Sequence, residues 1–209
     1  MDFATLEPTV SRKSGVKSGD LRVRRTQQHL KDALIALSLE RGYAAVTVQD
    51  LTERAMVNRS TFYHHYADKY DLVVQCLEAM LLEVPSVRID ELLTIRTGEA
   101  LPSAVHFCEH LAQHRDFYAV MLGSGGMPSF ASHLRSIIER DVRDHTPVQG
   151  AHMTLLPVFV AQAVVSTAVW WLEQGRAFTP VQVACWYSTL VVPGVRALLE
   201  TQAAEPTSS

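Results

Sequence analysis

The sequence predicts an all-α chain of two unequal parts: a three-helix unit containing a helix-turn-helix, followed by a larger helical domain. Apolar residues recur at helical spacing, as at Leu30, Ala33, Leu34 and Leu37, which share one face at i, i+3, i+4 and i+7. No alternating strand run or Asn-Gly hairpin competes with this period. The reversal at Met56 and Val57 is too short for anything but a sharp turn between two short helices.

The elements follow in order. Met1 to Leu21 lacks a sustained apolar period and reads as a flexible basic arm, residues 1–21. The first helix runs from about Arg24 and stops at Gly42. Thr47 caps a second helix, with Asp50 three residues on in a capping-box position and Val48, Leu51 and Ala55 facing inward. Asn58, a favoured N-cap, opens a third helix reaching about Tyr66, and Phe62 points from it toward Leu34 and Leu51. Asp68 caps a longer fourth helix that Pro85 closes. The domain boundaries expected are therefore 22–67 for the helix-turn-helix unit and 68–209 for the remainder, with 68–84 as connector.

Further helices are expected over Leu101 to Gln113, Asp116 to Leu122, Pro128 to Arg143 and His152 to Gln174. A last one starts at Thr179, where Thr179, Pro180 and Gln182 occupy the cap, first and third positions. Pro193-Gly194 should kink or end that helix before Val195 to Leu199.

At 209 residues, with 47% apolar and 20% charged side chains, the composition is that of a folding, soluble protein. Cys76, Cys108 and Cys185 form no CxxC pair, and the N-terminus has no apolar core of signal-peptide length; both point to the cytoplasm. Leu155 to Leu172 approaches bilayer-spanning length without a charge. It holds Pro157 and Gln162 and lacks flanking Lys/Arg, so a helix buried all round within protein is the better reading. The net charge of -3 is unevenly spread. Positions 10 to 66 carry ten Lys/Arg against five acids, whereas everything after Tyr66 carries nine against fifteen. A basic front before an acidic remainder marks the front as the part that meets a polyanion.

The stretch VNRSTFYHHYADKYDLV, Val57 to Val73, concentrates the side chains that do so. With Phe62 inward, Arg59, Ser60, Thr61, Tyr63 and His64 point outward. Arg reads guanine edges, Ser and Thr contact bases or phosphates, and Tyr hydroxyls bond phosphate oxygens. Lys69 adds its charge at the start of the fourth helix, where free backbone amides favour phosphate. His64 and His65 project about 100° apart, which disfavours a shared metal.

The run AAVTVQDLTERAMVNRSTFYHHYADKYDLV resembles the DNA-binding signature of the TetR family of bacterial transcription regulators, over about Arg24 to Val84. Thr47, Leu51, Ala55, Phe62, Tyr63, His65, Lys69 and Leu72 sit where that pattern has them. By resemblance, Thr47, Tyr63, His65 and Lys69 clamp phosphates of double-stranded DNA, while Arg59, Ser60, Thr61 and His64 face bases. Arg25 and Asn58 complete the expected contact set. Tyr66 replaces the more usual Phe, which is harmless where its hydroxyl reaches solvent.

Beyond Pro85, HRDFYAVMLGSGGMPSF and WWLEQGRAFTP resemble one TetR branch related to dihydroxyacetone-kinase regulators, which implies a regulatory domain that dimerises and senses a signal. Trp170, Trp171, Trp186, Tyr187 and Leu190 offer more apolar surface than one chain covers, so a homodimer through the last two helices is expected. A pocket for a small-molecule effector is expected around His106, Phe107, His110, Tyr118, Met121, Phe130, Phe159 and Gln162. The alternative is a C-terminal half that docks a protein partner. His106, His110 and His114 recur every four residues, but the third has drifted about 80° from the first, so no metal or other cofactor is assigned. The loop GSGG, Gly123 to Gly126, lacks the Lys-Ser/Thr of a phosphate loop, and neither a Gly-x-Ser-x-Gly elbow nor HExxH occurs, so no enzyme is expected.

Overall fold

The computed structural model describes residues 18–86, 88–96, 98–146 and 154–204. Ten α-helices lie among them, and no strand. α1 (Ser18–Arg41), α2 (Val48–Arg54) and α3 (Arg59–His65) form the N-terminal unit, and α4 (Lys69–Leu81) leads out of it. α5 (Ile89–Thr94), α6 (Pro102–Gln113), α7 (Arg115–Leu122), α8 (Phe130–His145), α9 (Leu155–Glu173) and α10 (Pro180–Ala204) complete the chain.

α1 begins at Ser18, inside the stretch expected to be an arm; residues 1–17 lie outside the described residues. Its early residues Leu21 and Val23 are exposed, so these turns bury no stripe and leave no apolar period to read. The stripe proper, Leu30, Ala33, Leu34 and Leu37, is buried. Gly42 follows in the left-handed region, φ 80°, where its lack of a Cβ matters. A 3-10 turn at Tyr43–Ala45 then hands the chain to α2.

The Thr47 box forms in full: Asp50 N donates to Thr47 Oγ1 over 3.2 Å, and the Asp50 carboxylate accepts from Thr47 N over 2.8 Å. Met56, 91% exposed, turns the chain with φ 54°, a left-handed conformation that is unusual for a side chain of this kind. Asn58 occupies the N-cap of α3 but makes no side-chain cap bond, contrary to the expectation for that residue. The last capping box also forms, with Thr179 N donating to Gln182 Oε1 and Gln182 N to Thr179 Oγ1.

Two expectations are corrected here. α10 runs through Pro193 to Ala204, so of the expected kink or end the end does not occur. Proline removes one N–H, and the carbonyl deprived of it, on Thr189, belongs to an exposed part of the helix where water can serve it. α9 is buried on one side only: Leu156, Val160, Ala161, Val165, Ala168 and Trp171 face in, whereas Leu155, Val158, Phe159 and Trp170 are exposed. By length and composition α9 is long and apolar enough to cross a membrane, yet its inner face is a packed core face against α8 and α10.

One hydrophobic cluster runs without a break from Leu30 through Phe62 and Leu77 to Phe117, Trp171 and Ala184, joining the N-terminal unit to the larger domain. A second, around Leu92, Leu101, Leu156 and Val191, lies between α5, α6, α9 and α10.

Candidate nucleic-acid interface and regulatory cavity

Phe62 has no exposed surface and fixes the rotation of α3, in the same cluster as Leu34 and Leu51. With that side held, Arg59, Ser60, Tyr63 and His64 are exposed, and Thr61 and His65 are half-buried. The Arg59 guanidinium lies 5.6 Å over the Tyr63 ring, with Nη2 3.4 Å from its hydroxyl. Arg25 on α1 and Thr47 and Asn58 at the helix starts are also exposed. The hydroxyl of Thr47 donates to Asp50 over 2.6 Å, and Arg41 reaches the same carboxylate at 2.7 Å. Hydrogen bonds from Thr47, then Arg41, hold the Asp50 carboxyl down at about 2, so it stays charged in the box.

Two residues behave differently from expectation. The Lys69 ammonium donates to the carbonyls of Tyr43, Ala44 and Val46 at 2.9, 3.3 and 2.7 Å, and sits 4.3 Å over the Tyr43 ring. Its three N–H groups are engaged inside the protein, leaving no donor for a phosphate; burial lowers its pKa. Tyr66 is 3% exposed, so its hydroxyl meets Gln27 instead of solvent.

In the larger domain a cavity of about 150 Å³ opens between α6, α8, α9 and α10, where the two hydrophobic clusters meet. Of the eight expected pocket residues only Phe107 lines it. Tyr118, Met121 and Phe130 are closed core, and His110 is buried with its Nε2 2.9 Å from the Tyr118 hydroxyl. His106, Phe159 and Gln162 face solvent; His106 Nδ1 bonds the Pro102 carbonyl and Gln162 bonds Ser166. The His110 and His114 rings lie 4.7 Å apart, but His106 faces away from them, so the three do not converge. Among the described residues no group of three or more metal-binding side chains occurs.

The expected dimer residues also divide. Trp170, Trp186 and Leu190 are exposed, at 40%, 44% and 82%. Trp171 and Tyr187 line the cavity instead, and Trp171 Nε1 donates to the Phe178 carbonyl. Phe178 joins the outer pair, stacked on Trp170 at 5.6 Å and edge-on to Trp186 at 5.1 Å.

This two-part anatomy has counterparts. Residues 31–76 match the profile of Bacterial regulatory proteins, tetR family, and residues 98–191 match that of a Transcriptional regulator C-terminal region. The chain belongs to the TetR family. It resembles the uncharacterized HTH-type transcriptional regulator YxbF of Bacillus subtilis, 22% identical over 74% of this chain and 41% of that one. The chain spans less than half the length of the curated relatives it matches. A TetR transcriptional regulator from Streptococcus agalactiae superposes with a TM-score of 0.58 at 28% identity, over 85% of this chain and 99% of the other. The dihydroxyacetone kinase operon activator DhaS shares the fold, with a TM-score of 0.53 at 16% identity over 85% and 96% of the two chains.

In this TetR-family transcription regulator, α2 and α3 are the DNA-binding helix-turn-helix. Sequence reasoning missed the polar wall of the cavity: Ser103, Asp141, Thr146 and Thr167, with Tyr187. The spacing Val160, Val164, Thr167, Ala168, Trp171 holds the signal for one side of it, an i, i+4, i+7, i+8, i+11 stripe on α9.

Proposed function

We propose that this regulator represses transcription in the cytoplasm as a homodimer, binding a palindromic operator in double-stranded DNA and leaving it when a small molecule enters the cavity. The N-terminal unit, 22–67, reads DNA; the remainder, with α4 as connector, senses and dimerises. The observation that carries the DNA assignment is the contrast on α3: Phe62 sealed in the core, Arg59, Ser60, Tyr63 and His64 at the surface. Arg59, Ser60, Thr61 and His64 are assigned to base edges, and Tyr63, His65, Asn58 and Arg25 to the phosphates, whereas both donors of Thr47 go to Asp50.

The exposed aromatic face of α9 and α10 supports the homodimer, because a second copy would cover it with the same residues. Two recognition helices then meet successive major grooves about 34 Å apart, which requires a palindrome. A concave, mostly apolar cavity with a few polar groups supports a small-molecule signal over a docked protein.

The test is operator binding by fluorescence anisotropy across a salt series. Affinity should fall steeply with salt as phosphate contacts release counterions. Arg59→Ala should lower discrimination between operator and mutated operator, and Arg25→Ala should weaken both alike and reduce the salt slope by about one. Wild-type behaviour in both variants would remove the assignment.

A further inference from the structure

We propose that the cavity takes an uncharged apolar molecule about the size of a single ring, carrying one hydrogen-bonding group, and that it rejects carboxylates, phosphates and amines. The effect on DNA rests on the release reading above; the ligand class rests on the wall itself.

Size sets the first limit. About 150 Å³ matches a buried apolar cavity that admits benzene, so one ring fills the space and anything longer has to extend through the open mouth. The wall sets the second: Phe107, Leu111, Ile138, Val160, Val164 and Val191 give it an apolar lining that rewards burial of a ring.

Charge sets the third. Among the described residues no Lys or Arg lines the cavity, and Asp141 is the sole charged side chain that does. An anion would lose its hydration beside a carboxylate, with no cation to compensate. An amine fares little better. Asp141 already accepts from Ser86 Oγ at 2.6 Å and pairs with His145 Nδ1 at 3.3 Å, and its side chain is about a third exposed, so it belongs to a wet rim.

The remaining wall groups are neutral. Ser103 is 3% exposed, and its hydroxyl has no hydrogen-bond partner. A buried hydroxyl left unpaired is costly, and although this oxygen shows almost no surface in the present rotamer, a χ1 rotation toward the cavity would let a ligand supply its partner and recover that cost. Tyr187, Thr146 and Thr167 add further hydroxyls, and burial keeps the Tyr187 phenol and the Cys108 thiol, pushed up to about 12, protonated. Such a wall discriminates for a polar handle more sharply than for ring shape. Leu81, Val84 and Pro85, at the end of α4 and just past it, also line the cavity, so a bound molecule touches the connector directly.

The experiment is calorimetric titration of the full chain at neutral pH with four probes of one shape: benzyl alcohol, toluene, benzoate and benzylamine. Benzyl alcohol should saturate one site per chain, toluene should fill the same site more weakly, and benzoate and benzylamine should bind at least about tenfold more weakly than the alcohol. Ser103→Ala should weaken benzyl alcohol by roughly three- to tenfold and leave toluene unchanged. Val164→Phe, which fills the space, should abolish binding; were it to misfold, the Ser103→Ala contrast still decides. Benzoate or benzylamine binding as tightly as the alcohol would overturn the inference, as would no saturable binding by folded wild-type protein or equal losses for alcohol and toluene in Ser103→Ala. Operator anisotropy in the same samples keeps the two readings apart. Saturation by benzyl alcohol with DNA affinity unchanged supports the ligand class and sinks release; release by benzoate alone sinks the ligand class and keeps release.

Discussion

The backbone amide of Tyr43 donates to the carbonyl of Gly125 over 3.0 Å, joining the turn before α2 to the loop between α7 and α8. Gly42 lies against the same loop, its Cα 3.9 Å from where a Cβ on Gly125 would stand. From the other side Lys69 holds the Tyr43, Ala44 and Val46 carbonyls. The start of α2 is thus gripped between the α7–α8 loop and α4. A shift of α7 and α8 has a short, stiff route to the DNA-binding unit.

Substitution in the GSGG loop tests that route. A Cβ on Gly126 would collide with the Met121 and Val120 carbonyl oxygens, whereas one on Gly125 meets only ordinary contact. Gly126→Ala should therefore cost about 2 kcal/mol, lowering the melting temperature by about 4–8 °C and weakening operator binding. Gly125→Ala should stay within about 0.5 kcal/mol of wild type. Equal melts for the two variants would mean that the loop simply relaxes.

Lys69 offers a separable prediction. Because its ammonium bonds three carbonyls, Lys69→Ala should lose about 2 kcal/mol of stability in chemical denaturation. The slope of operator affinity against salt should not change, since no phosphate contact is removed. A slope shallower by about one, with stability intact, would return Lys69 to the phosphate-binding set.

His110 makes stability depend on pH. Burial first, then His114 and Lys31, lower its pKa from 6.5 to about 4, and its partner Tyr118 stays protonated. His114 is lowered in the same direction by burial and Lys31, against an opposing pull from Glu83. Above pH 6.5 both folded and unfolded chains hold His110 neutral, and its contribution is complete. As pH falls from 6.5 toward 4 the unfolded chain takes up a proton that the folded one refuses. Stability should drop over that window by up to about 3 kcal/mol and level off below it. Denaturation midpoints for wild type and His110→Gln across pH 4–7 check this; the variant should show a flatter profile, and parallel curves would assign the titration elsewhere.

The residues read correctly from sequence are those whose partners lie within one helical turn. Thr47 with Asp50 and Thr179 with Gln182 are i, i+3 boxes, fixed by local geometry alone. Phe62 was legible because its own helix is otherwise polar, so only one face has an apolar anchor. On α9 and α10 the same reasoning fails. Trp170 and Trp171 are chemically alike but about 100° apart, as are the aromatic neighbours Trp186 and Tyr187. With apolar side chains on both sides, the inward phase is set by α6 and α8, which the local sequence does not encode. Most of the expected pocket residues lie outside the cavity for the related reason that large aromatics such as Tyr118 and Phe130 fill space, while a cavity forms where Ser103, Ala104 and Thr167 leave it.

That phase gives the last prediction, which concerns assembly. Leu190 is 82% exposed, next to an outer aromatic group in which Trp170, Phe178 and Trp186 touch one another across α9 and α10. Trp171 is 2% exposed on the opposite side. Leu190→Glu puts a charge into the surface that a second copy would cover and should give monomers in sedimentation with unaltered helical content. Operator affinity should then fall by more than about a hundredfold, because each half-site is held by one helix-turn-helix alone. Trp171→Ala should do the reverse, costing about 3–5 kcal/mol of stability while the folded fraction still sediments as a dimer. If Leu190→Glu sediments as wild type does, the outer face of α9 and α10 is not where two copies meet.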